Sequence, residues 1–150
     1  MVGTSLDAMD TLFAVLHVVA AVFIVGPMAI LPMTAMRAVR AGNDSQVDVL
    51  AKSTNLISLL SLIVVFLGFG LLGISGAKYH TTLLTPWVLW SIIFYAIALA
   101  INLFLVVPTM RRAAEAIRAN TVSKYPAIAA GSGISSLLLV AVVVLMVWRP

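Results

Sequence analysis

Four apolar runs, each about as long as the ~20 residues a helix needs to cross roughly 30 Å of hydrocarbon, dominate the sequence. They extend from about Leu12 to Met36, Leu56 to Ser75, Pro86 to Val107 and Ala127 to Trp148. No Asp, Glu, Lys or Arg lies deep within any of them. Of the 150 residues 63% are hydrophobic and 9% charged, whereas a soluble domain is roughly 45–50% apolar and about 25% charged. A water-soluble fold of this size has nowhere to bury so much apolar surface. The expected fold is all-α: one transmembrane domain over residues 1–150, four helices in an up-down antiparallel bundle. The first run follows Asp7 and Asp10 instead of a basic segment and is too long for a signal-peptide core, so it is read as a retained helix.

Basic residues orient the bundle. Arg37, Arg40 and Lys52 fall in the first connection and Arg111, Arg112, Arg118 and Lys124 in the third; only Lys78 and Arg149 lie elsewhere. Short cytoplasmic loops carry the excess of Lys and Arg, so both termini are expected outside the cytoplasm, in a bacterial inner (plasma) membrane. Trp87 and Trp148 then mark outer ends, where aromatic belts form. Arg37, Arg40, Arg111, Arg112 and Arg118 become membrane-surface groups, with Arg111 to Asn120 expected as an amphipathic extension lying along that surface. The net charge of +4 is spread over connections, unlike the clustered basic face of a nucleic-acid-binding domain. The two basic connections also resemble each other, from Pro32 to Arg40-Ala41-Gly42 and from Pro108 to Arg118-Ala119-Asn120, as a duplicated hairpin would.

Lipid tails solvate Leu and Val as well as a protein core does, so small and polar residues mark helix contacts. Ser91, Tyr95, Ala98 and Asn102 form one stripe on the third helix, and Ser58, Ser61, Gly68 and Gly76 another on the second, facing the third helix or the first. Gly131, Ser132, Ser135 and Ser136 serve the fourth. Gly68-Phe69-Gly70-Leu71-Leu72-Gly73 spells G-x-G-x-x-G, but without a preceding strand it denotes close helix packing, not a dinucleotide site. Gly26-Pro27 and Pro32 predict a kinked first helix, since proline removes one backbone hydrogen bond and crowds the preceding turn.

Candidates for chemistry are few. Cysteine is absent, which removes disulfides and thiolate sites. The spans hold no carboxylate pair for acid-base catalysis and no charge for ion coupling. His17 is the one ionisable group inside a span, about 10 Å below the outer end. It is either an axial haem or quinone contact, or a neutral imidazole hydrogen-bonded across helices, with Tyr95 at similar depth. No second intramembrane His is available as the other axial ligand, which favours the structural role. His80 belongs to the outer connection, and Met28, Met33 and Met36 are read as gap-fillers near the inner end instead of a metal ladder. No metal, catalytic residue or cofactor is expected; haem b at His17 is the alternative.

Leu16-His17-Val18-Val19-Ala20-Ala21-Val22, Gly26, the Arg37 to Gly42 loop, Pro86-Trp87-Val88 and Pro108 followed by Arg111-Arg112 resemble an uncharacterised bacterial integral-membrane family, domain of unknown function 2269. The resemblance covers most of the chain through Arg118 and implies a four-helix membrane fold. More distantly, the Leu-His-Val-x-Ala opening resembles copper-resistance and haem-biosynthesis membrane proteins, which use further histidines that this sequence lacks. The expectation is a non-enzymatic accessory or assembly subunit of a larger membrane complex, of an energy-transducing or respiratory kind. Its partners would be membrane lipids and other integral membrane proteins. A small haem-binding or redox protein centred on His17 is the alternative, and a solute permease would have only Ser58, Ser61, Ser91, Tyr95 and Asn102 to line its path.

Overall fold

In a computed structural model the protein forms four helical rods; residues 2–76, 78–121 and 125–148 are described, with side chains from residue 7 onward. The first rod is α1 (Val2–Ala20), a π segment (Ala21–Val25) and α2 (Gly26–Arg40), and the second is α3 (Asp44–Ser75). The third is α4 (Pro86–Ala100), a second π segment (Ile101–Val106) and α5 (Val107–Arg118), and the fourth is α6 (Pro126–Trp148). Among the described residues four helices, Asp7–Arg40, Asp44–Ser75, Pro86–Arg118 and Pro126–Trp148, are long and apolar enough to cross a membrane.

The two π segments share a cause. One residue separates each from a proline, Gly26 before Pro27 and Val107 before Pro108. Proline cannot donate to the carbonyl four residues back and its ring collides with that carbonyl. A turn bonded i→i+5 admits one more residue and widens the helix where the regular ladder fails. The first rod is therefore irregular at Pro27, while Pro32 lies buried inside α2. Both rods end alike as well. Gly42, at φ +65°, follows Ala41, and Asn43 N–H donates to the Ala38 carbonyl at 3.1 Å. Asn120, at φ +53°, follows Ala119, and Thr121 N–H donates to the Ala116 carbonyl at 2.9 Å. These are Schellman caps, in which a left-handed residue turns the chain back onto the last carbonyls. The likeness of the two connections thus extends upstream, with one revision: Pro27, not Pro32, is the counterpart of Pro108.

Three rods are longer than a bilayer requires. At 1.5 Å per residue the 32 residues of α3 span about 48 Å, well beyond roughly 30 Å of hydrocarbon. The surplus lies at the end of the bundle that carries the first and third connections, the inner end by the expected orientation, where α2, the start of α3 and α5 pack around Ala35, Ala38, Val47, Ala51, Met110, Ala113 and Ala114. α5 consequently does not lie along the membrane surface as its amphipathic pattern suggests. Its apolar face, Val107, Met110, Ala113 and Ala114, is spent on the bundle because α3 extends just as far and offers it a partner. Asn43 starts α3 by accepting the Gln46 N–H at 3.0 Å, and Arg118 Nε donates to Asp44 Oδ2 at 3.0 Å, closing α5 onto the head of α3.

The outer half is arranged differently. There α1 packs on α3 and α4 on α6, and α1 makes no extended contact with α4 or α6. No described residue of α1 is buried.

Candidate functional site

Small polar side chains occupy the middle of the bundle, between the apolar inner cluster and a second cluster of Met28, Ala98 and Leu139. On α3 the buried residues Val47, Ala51, Thr54, Ser58 and Ser61 recur at intervals of four and three, tracing one face. The opposing rod presents Ser91, Ala98, Asn102, Val106 and Met110. Beyond Ala98 its intervals are uniformly four, which a 3.6-residue turn would rotate off the face; the π segment at Ile101–Val106 takes up the extra residue.

Ser61 and Tyr95 are the direct link between these faces. Their hydroxyls lie 2.6 Å apart, and Ser61 Oγ is also 2.6 Å from the Ser58 carbonyl, to which it donates. The Tyr95 hydroxyl therefore donates to Ser61. On the fourth rod Ser135 donates to the Ala98 carbonyl at 3.3 Å and Ser136 to the Ala29 carbonyl at 3.0 Å, tying α6 to α4 and α2. A Cβ on Gly131 would come within 2.8 Å of Val106 Cγ2, so its absence permits the crossing with the π segment. Ser132 spends its hydroxyl on Ala129 within its own helix, and Ser91 on Trp87. Asn102 is fully buried, and neither end of its amide has a hydrogen-bond partner; the hydroxyls of Thr54 and Ser58 are likewise unpaired.

His17 lies apart from this layer, on the outer arm formed by α1 and α3. Its Nδ1 is 2.9 Å from the Val64 carbonyl. A carbonyl only accepts, so Nδ1 carries the proton and Nε2 keeps its lone pair. The cross-helix bond expected with Tyr95 is not made: Tyr95 is engaged by Ser61 on another rod, while α1 faces α3. Gly68 makes the contact possible, because a Cβ there would stand 3.0 Å from His17 Cε1, and Gly70 similarly admits the Phe13 ring. The small residues of α3 thus serve two neighbours, Ser58 and Ser61 the third rod and Gly68 the first. Gly76, placed with them by spacing, sits at the helix end, where a Cβ would lie 2.8 Å from the Thr81 carbonyl oxygen.

Among the described residues no three His, Asp or Glu side chains gather where they could hold a metal ion. His80 stands in the outer connection at φ +49°. Met28 and Met110 fill the core and Met36 packs against its inner cluster, whereas Met33 is exposed, so gap-filling describes two of the three methionines singled out near the first basic loop. Lys78 binds Asp7 at 2.6 Å, fastening the outer connection to α1, and that carboxylate raises the Lys78 pKa. Of the basic groups, Arg118 and Lys52 are paired with Asp44 and Asp48. Arg37, Arg40, Arg111 and Arg112 make no ion pair among the described residues. Sequence reasoning missed both π segments and the unpartnered state of Asn102. The prolines two residues beyond each π segment were the available signal.

Four apolar rods with a small-residue interior define an integral membrane protein with four spans. The chain belongs to the family described as "Predicted integral membrane protein (DUF2269)", whose pattern matches residues 11–150. No curated protein and no solved structure matches it.

Proposed function

We propose that this protein is a non-catalytic accessory or assembly subunit that binds other integral membrane proteins side by side in a larger membrane complex. The observation that carries this reading is the outer arm. α1 and the π segment after it pack chiefly on α3 and present Leu12, Val15, Val22 and Phe23 outward, the last at 72% exposure. A span held along one edge leaves most of its circumference for another transmembrane helix, and helix association in lipid depends on such packing. Gentle affinity purification from native membranes is expected to recover larger membrane proteins in fixed stoichiometry. Val15→Trp with Val22→Trp should release them while the chain remains folded. Recovery of the chain alone, or partners indifferent to that change, refutes the reading.

The same proposal places the chain in a bacterial inner membrane with both termini outside, supported by the basic residues of the first and third connections. Cysteines introduced at Ser45 and Ala119 should resist labelling from the outer side, and one at Tyr79 should accept it. A second reading, a small haem-binding or redox protein centred on His17, draws on the tautomer, since a histidine that donates through Nδ1 holds Nε2 ready for an axial bond. A Soret band lost in His17→Ala would establish it and displace the first.

A further inference from the structure

We propose that a pocket at the inner end of the bundle, between α2 and α6, binds the anionic headgroup of a phospholipid. Met33, Met36, Arg37, Arg40, Ala129 and Ser132 line an open hollow of about 260 Å³. Spacings of three and four place Met33, Met36, Arg37 and Arg40 on one face of α2. Two guanidinium groups stand at the aqueous end of that face, and two thioethers lead from them toward the hydrocarbon.

The charge is available because the two acids at the head of α3 are engaged elsewhere. Asp44 is held by Arg118 at 3.0 Å and Asp48 by Lys52 at 2.8 Å, while Arg37 and Arg40 make no ion pair among the described residues. Ser132, also in the lining, donates its hydroxyl to the Ala129 carbonyl of its own helix and is not bonded to either guanidinium. A planar guanidinium offers a fork of donors suited to a phosphate oxygen pair. Basic pockets between transmembrane helices at the interface suit acidic headgroups. The methionine flank, flexible and polarizable, fits an acyl chain of no fixed shape. A soluble anion would use the arginines and leave Met33, which is 48% exposed, uncovered; an anionic lipid covers both ends of the face. The lipid class is thus a phosphodiester with net negative charge, such as phosphatidylglycerol. The inference is independent of the accessory-subunit proposal, since the pocket lies at the opposite end from the open α1 arm.

The test uses the full chain in dodecylmaltoside, with thermal stability and native mass spectrometry as readouts. Phosphatidylglycerol is expected to raise the melting temperature and to remain bound, and phosphatidylcholine to do neither. Arg37→Gln with Arg40→Gln should weaken retention about 30-fold, equivalent to about 2 kcal/mol at 1.4 kcal/mol per decade. Arg37→Lys with Arg40→Lys should keep most of it. Arg111→Gln with Arg112→Gln removes the same charge from α5 and should leave retention unchanged, which separates this pocket from general surface attraction. Equal retention of phosphatidylglycerol by the Arg37/Arg40 glutamine variant overturns the proposal, as does equal binding of phosphatidylcholine. Stabilisation by inorganic phosphate alone, dependent on the same arginines and not matched by the lipid, overturns it in favour of a soluble anion.

Discussion

The inner and outer halves of this bundle are built on different terms. The inner half brings all four rods together around alanines, Val47, Val106, Met110 and Ile128, several of them at 0% exposure. The outer half separates into an α1/α3 arm and an α4/α6 arm, and no described residue of α1 is more than partly buried. The loosely packed outer half is not the less apolar of the two, so hydrophobicity does not account for the difference. Residue size does. Where Ala and Ser repeat at intervals of three and four on two facing helices, backbones approach and the contact spreads along the helix. Where bulky aliphatic residues occupy those positions, lipid is as good a neighbour as protein.

The largest effect expected from that contrast is overpacking. Ala98 has no exposure, and Ala98→Leu should lower stability in mild detergent by about 1–3 kcal/mol. Ile97→Phe on the exposed side of the same helix, and Val19→Phe on α1, should leave the melting temperature nearly unchanged. An equal loss from Val19→Phe would abolish the distinction between the halves.

A second effect has the opposite sign. Asn102 is buried with both amide atoms unpartnered, and replacing an unsatisfied buried group by an apolar one of similar volume relieves its desolvation cost. Asn102→Leu should therefore raise stability by about 1 kcal/mol, the low end of the range for such groups. Destabilisation would mean that the middle layer is a satisfied polar network and not a strained boundary between two apolar clusters.

Smaller still is the Ser61–Tyr95 link, the point where the two arms meet. Hydrogen bonds between membrane helices average about 0.6 kcal/mol by double-mutant cycles. A cycle of Ser61→Ala and Tyr95→Phe should return a coupling near that value, and a coupling of zero would show the arms held by packing alone.

The smallest effect belongs to the outer rim. The Asp7 carboxylate raises the Lys78 pKa above its ordinary value of about 10.4. A group whose pKa is higher in the folded state contributes fully below the unfolded value and loses that contribution as pH rises through the folded one. Thermal unfolding measured from neutral to strongly alkaline pH should thus show a slight loss at the alkaline end that Lys78→Gln abolishes. A loss of the same size in the variant would assign it to another group.

Residue order alone specifies the four spans, their antiparallel order and the family, because the length and polarity of a membrane helix are dictated by the bilayer and not by its neighbours. It also marked small residues as the packing face, for the same reason. Which neighbour each of them meets was decided only in three dimensions. Gly68 receives His17 while Ser61, seven residues earlier on the same helix, receives Tyr95. Spacing along one helix places residues on a face but does not say where a second helix stops and a third begins. The π segments are the clearest case. Pro27 and Pro108 were visible as interruptions, yet whether an interruption ends a helix, bends it or widens one turn depends on what the rest of the rod can bury afterwards. Here α5 finds Val47 and Ala51 on an α3 that extends equally far, so the third rod passes through Pro108 and continues to Arg118.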